Sequence, residues 1–268
     1  MSGPLWRDIS ETLRSRIESG ELAPGAQLPT EQDLMEEFGA GRNTVRQALQ
    51  PLIQRGMVTA QPGRGTFVTE KIDPFVTTLT ENPRTGFGGG EGAAYMSEAS
   101  LQQRLARNGP IKVELQMATP YIARGLGVEP GTPIVSRHQE RFIDGRPWSR
   151  QSSHYPMTLV EAGAALLLQA VDIDQGPVAY LEDVLGIRQV GYQDLVLGRP
   201  AHPDEAAFFR LSGPGSLVFE QRRTAFSIDG RRIRLTVTAY PADRNRFLIN
   251  EGIVPEDAMS PPPSKERS

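Results

Sequence analysis

The chain of 268 residues contains no cysteine, which removes disulfide scaffolds, thiolate metal sites and cysteine nucleophiles together. Histidine is nearly as scarce. His138, His154 and His202 are scattered, without metal-site spacing or an accompanying carboxylate cluster, so no metal and no cofactor is expected. No apolar run approaches the roughly 20 residues of a spanning helix, and Met1 to Trp6 hold no basic stretch leading into an apolar region. That predicts no membrane segment, no signal peptide and a cytoplasmic setting. A nucleophile elbow is absent too, because Gly213-Pro214-Gly215-Ser216 lacks the Gly-x-Ser-x-Gly form. These residues give enzymatic activity no support.

Excess positive charge is also missing. Lys and Arg number 29 against 32 Asp and Glu, a net charge of -3, which argues against nucleic-acid binding through bulk charge. The distribution reverses that impression. From Phe38 to Thr69 there is no acid, while Arg42, Arg46, Arg55 and Arg64 give a local balance of +4. Asp8 to Glu37 carries eight acidic residues. Because the Debye length at physiological salt is about 8 Å, a phosphate-facing surface needs only the local sign.

Periodicity organises the same stretch. Leu5, Ile9, Leu13 and Ile17 mark one helical face that stops at Ser19-Gly20. Thr30 is placed as an N-cap with Asp33 three residues on, close to a capping box, and Leu34, Met35 and Phe38 face inward from a second helix. Gly39-Ala40-Gly41 forces a turn. Val45, Ala48, Leu49, Leu52 and Ile53 then define the buried stripe of a third helix, whose outer face reads Arg42, Asn43, Arg46, Gln47, Gln50 and Gln54. Arginine, asparagine and glutamine make bidentate bonds to guanine and adenine edges, so the pair reads as a helix-turn-helix with the third helix as reader. Met57 to Gln61 and Thr66 to Val68, around Pro62-Gly63-Arg64-Gly65, read as a two-stranded wing that brings Arg64 to a groove.

These residues resemble a known family. Leu22-Ala23-Pro24-Gly25, Leu28-Pro29-Thr30-Glu31, Phe38-Gly39, Arg42-Asn43-Thr44-Val45-Arg46, Ala48-Leu49 and Gly63-Arg64-Gly65-Thr66-Phe67-Val68 are similar, in order, to the winged helix of GntR-type regulators. The resemblance implies base reading by Arg42, phosphate contacts by Asn43, Thr44 and Arg46, and entry of Gly63 into the minor groove. Glu31, Gln32, Gln47, Arg64 and Gly65 complete the expected DNA-binding set. Two features depart from the family pattern. Gln32 stands where many members carry arginine, which alters a second base contact. Pro51 lies inside the third helix, where it removes the bond to the Gln47 carbonyl.

Beyond Leu101, strands and helices alternate. Pro133 to Ile143, Asp144-Gly145 and Arg146 to Tyr155 read as a hairpin, and Ser216 to Ile228, Asp229-Gly230 and Arg231 to Tyr240 as a second. Helices are expected at Tyr121 to Leu126, Leu159 to Val171, Pro177 to Leu185 and Pro203 to Leu211. The whole is α+β: an N-terminal winged helix-turn-helix followed by an antiparallel-sheet α+β domain. Ala123 to Leu126, Gly131-Thr132-Pro133, Arg141 with Asp144-Gly145, Ser153 with Tyr155-Pro156, Tyr180-Leu181-Glu182 and Asp243-Arg244 resemble the UTRA effector domain of the HutC branch, whose fold is similar to chorismate lyase. That resemblance implies a small-molecule effector held by Gln139, Arg141, Gln151, Ser153 and Tyr180, with Val178 beside Tyr180. Gln139 stands where arginine is common and Val178 where serine is, which argues against a phosphosugar. Arg137, in phase with 139 and 141 on one strand face, compensates; the alternative for Arg137 and Arg141 is cross-strand pairing on a solvated face.

The expected organisation is a DNA-binding domain over 1–69, a linker over 70–94, an effector-binding and dimerisation domain over 95–250 and a polar, disordered tail over 251–268. The glycine run Gly86 to Gly92 lacks the Gly-Lys-Ser/Thr ending of a phosphate loop and belongs to the linker. The expected function is a homodimeric repressor on a double-stranded, inverted-repeat operator, modulated by an effector. The alternatives are a constitutive dimeric repressor without effector, and a lyase-like enzyme.

Overall fold

A computed structural model of the chain describes residues 4–69, 72–80, 92–211 and 216–255. The chain passes from one compact unit to a second between Ile72 and Asp73, and each is built around its own core.

In the first unit the helices are α1 (Leu5–Glu18), α2 (Glu31–Phe38) and α3 (Arg42–Gln54). The Thr30 side chain accepts from the Asp33 backbone N–H at 3.2 Å and the Asp33 carboxylate accepts from the Thr30 N–H at 2.8 Å, the complete reciprocal cap. Gly39, at φ +58°, ends α2 in the left-handed conformation, and Gly41 caps α3. The core gathers Ile9, Leu13, Leu34, Val45, Ala48 and Leu52, closed by Val58 and Val68 of the antiparallel wing β1 (Val58–Gln61) and β2 (Gly65–Val68). Leu5 departs from the expected stripe. It is exposed, and Trp6 packs against the core instead. Pro51 lies in the last turn of α3, which continues to Gln54.

The second unit opens with β3 (Phe75–Thr78), α4 (Gly92–Leu101), β4 (Ala106–Asn108), β5 (Lys112–Met117) and α5 (Pro120–Leu126). Then come β6 (Pro133–Ile143), β7 (Arg146–Pro156), α6 (Met157–Glu161), a 3-10 turn at Ala165–Leu168, α7 (Gly176–Leu185) and β8 (Gln189–Pro200). α8 (Pro203–Phe209), β9 (Leu217–Ser227), β10 (Arg232–Pro241) and β11 (Asn245–Leu248) complete it. One sheet runs β4-β6-β7-β10-β9-β8, with β5 also paired to β6, and every pairing in it is antiparallel. Its faces differ as strand alternation demands. Val135 and Tyr155 pack under α6, the 3-10 turn and α7, while Ile134 and Leu235 pack under α5.

Both expected hairpins form. Asp144 and Gly145 sit at φ +49° and +74°, the two positive angles of a type I′ turn. The second turn is one residue longer than expected. Gly230 N–H donates to Ser227 O and Ser227 N–H to Arg231 O, both at 2.9 Å, so the loop is Ile228-Asp229-Gly230 with Gly230 at φ +78°. The expected helix over Leu159 to Val171 is broken into α6 and the 3-10 turn, because Gly163 takes φ +127° just past the Ala162 cap. The expected linker is also corrected. Residues 75–78 form a strand parallel to β11, with Phe75 fully buried, and α4 begins at Gly92. Residues 81–91, with most of the glycine run, and tail residues 256–268 lie outside the described residues.

Candidate nucleic-acid interface and ligand cavity

In the first unit α3 presents Arg42, Asn43, Arg46 and Gln47 to solvent, with Thr44 half-buried. The half-exposed Glu31, in the first turn of α2, reaches across to them. Arg46 Nε donates to Glu31 Oε1 at 2.8 Å, and Arg42 Nε lies 3.6 Å from Glu31 Oε2. That hydrogen bond raises the Arg46 pKa, with the Glu31 charge adding to it. Gln32 Nε2 donates to Glu36 at 3.1 Å along its own helix. Gly63, Arg64 and Gly65 are exposed on the wing. Gly63 takes φ +73° and nothing lies within 4 Å of where its Cβ would stand, so only glycine leaves that turn unstrained and open to a close approach. Sequence reasoning missed Gln27. Its amide donates to Arg64 O at 3.0 Å and stands 2.5 Å from a Cβ built on Gly65 (φ +111°), bracing the wing from below. Nothing in the local pattern marks it.

In the second unit a cavity of about 280 Å³ is floored by Arg137, Gln139 and Arg141 of β6 and by Gln151 and Ser153 of β7. Register explains the grouping. Arg137 pairs with Ser153, Gln139 with Gln151 and Arg141 with Ser149, all on one face. Arg141 is 1% exposed. It donates to Gln151 Oε1 at 2.5 Å and to Gln139 Oε1 at 3.4 Å, and its guanidinium carbon stands 5.3 Å from the Tyr95 ring centroid. Gln151 Nε2 donates in turn to Ser153 Oγ at 3.0 Å. The solvated-face alternative for Arg137 and Arg141 is therefore wrong. Both are buried, because α4 and the segment after α6 cover that face.

Arg137 does a different job from Arg141. Its Nη1 donates to the carbonyls of Leu166, Leu167 and Gln169 and its Nη2 to that of Val171, at 2.6 to 3.1 Å. It pins the segment leading to Asp172, Ile173 and Asp174, which form a cavity wall. Burial lowers its pKa, opposed by Tyr155 and Asp172. Tyr180 and Val178 are not among the cavity-lining residues. Tyr180 is buried under the 3-10 turn, where its hydroxyl accepts from Leu166 N–H at 3.0 Å. Sequence reasoning missed Met96, Asn108, His138, Asp172 and Arg234 in the lining. Arg234 was legible in principle, since the second hairpin's alternation places it in phase with Thr236. A second cavity of about 510 Å³, lined by Lys112, Arg150, Arg199, Asp204 and Glu205 among others, has its arginines paired with those carboxylates.

Among the described residues, no group of three or more His, Cys, Asp or Glu side chains is placed to hold a metal ion. No helix among them is long and apolar enough to cross a membrane.

A winged helix-turn-helix joined to a sheet domain with a polar cavity defines a one-chain, ligand-responsive DNA-binding regulator. The family comparisons agree. Residues 5–68 match the model of bacterial regulatory proteins of the gntR family, and residues 102–246 match the UTRA domain. The chain belongs to the GntR family of transcriptional regulators, in its UTRA-containing part. It is 30% identical over 250 residues to the HTH-type transcriptional regulator RB1450 of Rhizobium meliloti, covering 93% of this chain and 96% of that one. The HTH-type transcriptional repressor NagR of Bacillus subtilis is 30% identical over 157 residues, covering 58% of this chain and 59% of NagR. The crystal structure of PhnF from Mycobacterium smegmatis shares the fold, with a TM-score of 0.54 at 21% identity over 91% of this chain and 99% of that chain.

Proposed function

We propose that this GntR-family regulator is a cytoplasmic, homodimeric repressor without enzymatic turnover, whose paired winged helices bind an inverted-repeat operator. The observation that carries the reading is the solvent face of α3, where Arg42, Asn43, Arg46 and Gln47 stand together free of acidic neighbours on that helix. Arg42, at the N-terminal end of α3, reads a base edge. Asn43, Thr44 and Arg46 hold phosphates, Gln32 and Gln47 flank them, and Gly63, Arg64 and Gly65 take the wing to the minor groove. Repression as the sign of regulation is supported by relatives such as NagR, a transcriptional repressor. In the second unit the cavity takes the effector, with Arg141, Gln139, Gln151 and Ser153 as its polar contacts and Arg137 as the brace of its wall. The effector shifts operator affinity only to the extent that it binds one arrangement of the dimer better than the other.

The test is selection of bound sequences from random duplex DNA with the full chain, at stated salt. A two-fold symmetric motif is expected, and recovery of no motif overturns the reading. On that motif, Arg42→Ala costs about 1–3 kcal/mol for the selected site and little on random duplex, whereas Arg46→Ala weakens both alike.

A further inference from the structure

Glu31 is the one acidic side chain that the structure places against α3's arginines among the described residues. Its two carboxylate oxygens are divided between Arg42 and Arg46, which stand four apart and so share one helix face. Both contacts use Nε, the inner nitrogen of the guanidinium. The outer Nη pair, which makes the end-on fork to guanine O6 and N7, takes no part in these two contacts. An exposed arginine ordinarily samples many rotamers and must give them up to meet a base. A carboxylate on Nε takes up part of that ordering before DNA arrives. The same carboxylate is a negative charge next to the phosphate-facing surface, and so it weakens binding to every duplex.

We propose that Glu31 is a specificity-determining positioning residue. It aims Arg42 and Arg46 through their Nε groups, sharpening discrimination at the base read by Arg42 while lowering affinity for DNA in general. The inference rests on the reading of Arg42 as a base contact. It assigns Glu31 no contact with DNA and separates two effects that a contact residue would lose together.

The experiment compares the full-length chain with Glu31→Gln, Glu11→Gln and Arg42→Ala on the selected operator, its single-base variants and random duplex, over a range of salt. Glu11 is exposed on α1, and its variant removes one charge from the same unit without touching α3. Glu31→Gln is expected to bind random duplex about threefold tighter and to flatten the penalty at the Arg42-read base about fivefold, leaving other positions unchanged. Glu11→Gln is expected to leave the whole profile of penalties in place. If Glu31→Gln keeps the wild-type penalties, or weakens operator and random duplex equally, Glu31 does not aim the arginines and the inference fails. If Arg42→Ala itself leaves the base preferences intact, the underlying assignment of Arg42 is what fails. Circular dichroism of each variant separates these outcomes from misfolding, and an exposed pair of this kind contributes little to folding.

Discussion

Arg137 and Arg141 show how little residue type and strand position say about role. They are four apart on β6 and both buried, yet Arg141 faces two amides and an aromatic ring while Arg137 gives its donors to four main-chain carbonyls. Removing Arg137 strands those carbonyls in a buried setting, so Arg137→Met should destabilise the chain by about 3 kcal/mol in urea denaturation. A neutral effect would show that the carbonyls find water instead. Two other buried groups set a pH dependence of opposite sign. Burial pushes the Glu98 carboxyl up to about 7, although its Oε1 accepts from Thr78 N–H at 2.6 Å, and burial with neighbouring His138 pulls His154 down to about 4. The folded Glu98 holds its proton more tightly than the unfolded one, so its contribution is present below pH 4.5 and is lost as pH rises through about 7. For His154 the folded state resists protonation, so stability falls as pH drops from 6.5 towards 4. Glu98→Gln should therefore gain on the wild type by at most about 3 kcal/mol between pH 4.5 and pH 8 in paired chemical melts. A constant difference across that range would rule out the Glu98 shift.

At the level of elements, local chemistry explains what the sequence revealed and what it hid. The capping box at Thr30, the glycine stop at Gly39 and the Asp144-Gly145 turn are each decided by two or three adjacent residues, and each forms as read. The 159–171 helix misled because its apolar spacing continues through Gly163, and only the backbone shows that this glycine takes φ +127°. β3 was invisible for a different reason. Four residues long, it is held on one edge by β11, some 170 positions away in the chain, and on the other by side chains of the α4 region. Gln102 clasps both polar groups of Val76, at 3.1 and 2.7 Å, and Glu98 takes Thr78 N–H. The residues proposed to face DNA come from one helix and one turn, so the sequence alone could group them. The cavity's remaining lining comes from separate segments, among them α4, residues 172–177 and β10, which only the tertiary fold brings together. Two substitutions probe the elements of the first unit. Pro51→Ala restores a donor for the Gln47 carbonyl and should stabilise the chain by about 1–2 kcal/mol, partly offset by a freer unfolded chain. Gly65→Ala brings a methyl to 2.5 Å from the Gln27 amide at a strained φ, so it should loosen the wing and weaken operator binding without melting α3. Heteronuclear NMR shifts confined to residues 57–69 would show this, and an unchanged wing would refute it.

At the scale of the molecule, the two units keep separate cores. Among the described residues, the winged-helix core draws on positions between Trp6 and Val68. A fragment of residues 1–69 should therefore fold alone, giving dispersed amide resonances and a cooperative melt. On the proposal that two copies pair through the second unit, it should also bind single half-sites weakly. A random-coil spectrum for the fragment would mean the first unit leans on the second. The burial of β3 also has a mechanical consequence. From Val68, the last buried residue of the wing, to Phe75, the first buried residue of the second unit, there are seven peptide steps. Fully extended, they reach about 24 Å. Had the leash run to residue 94, as its composition suggested, it would reach several times further. On the proposed dimer, the shorter length of chain sets an upper bound on how far apart two operator half-sites can lie.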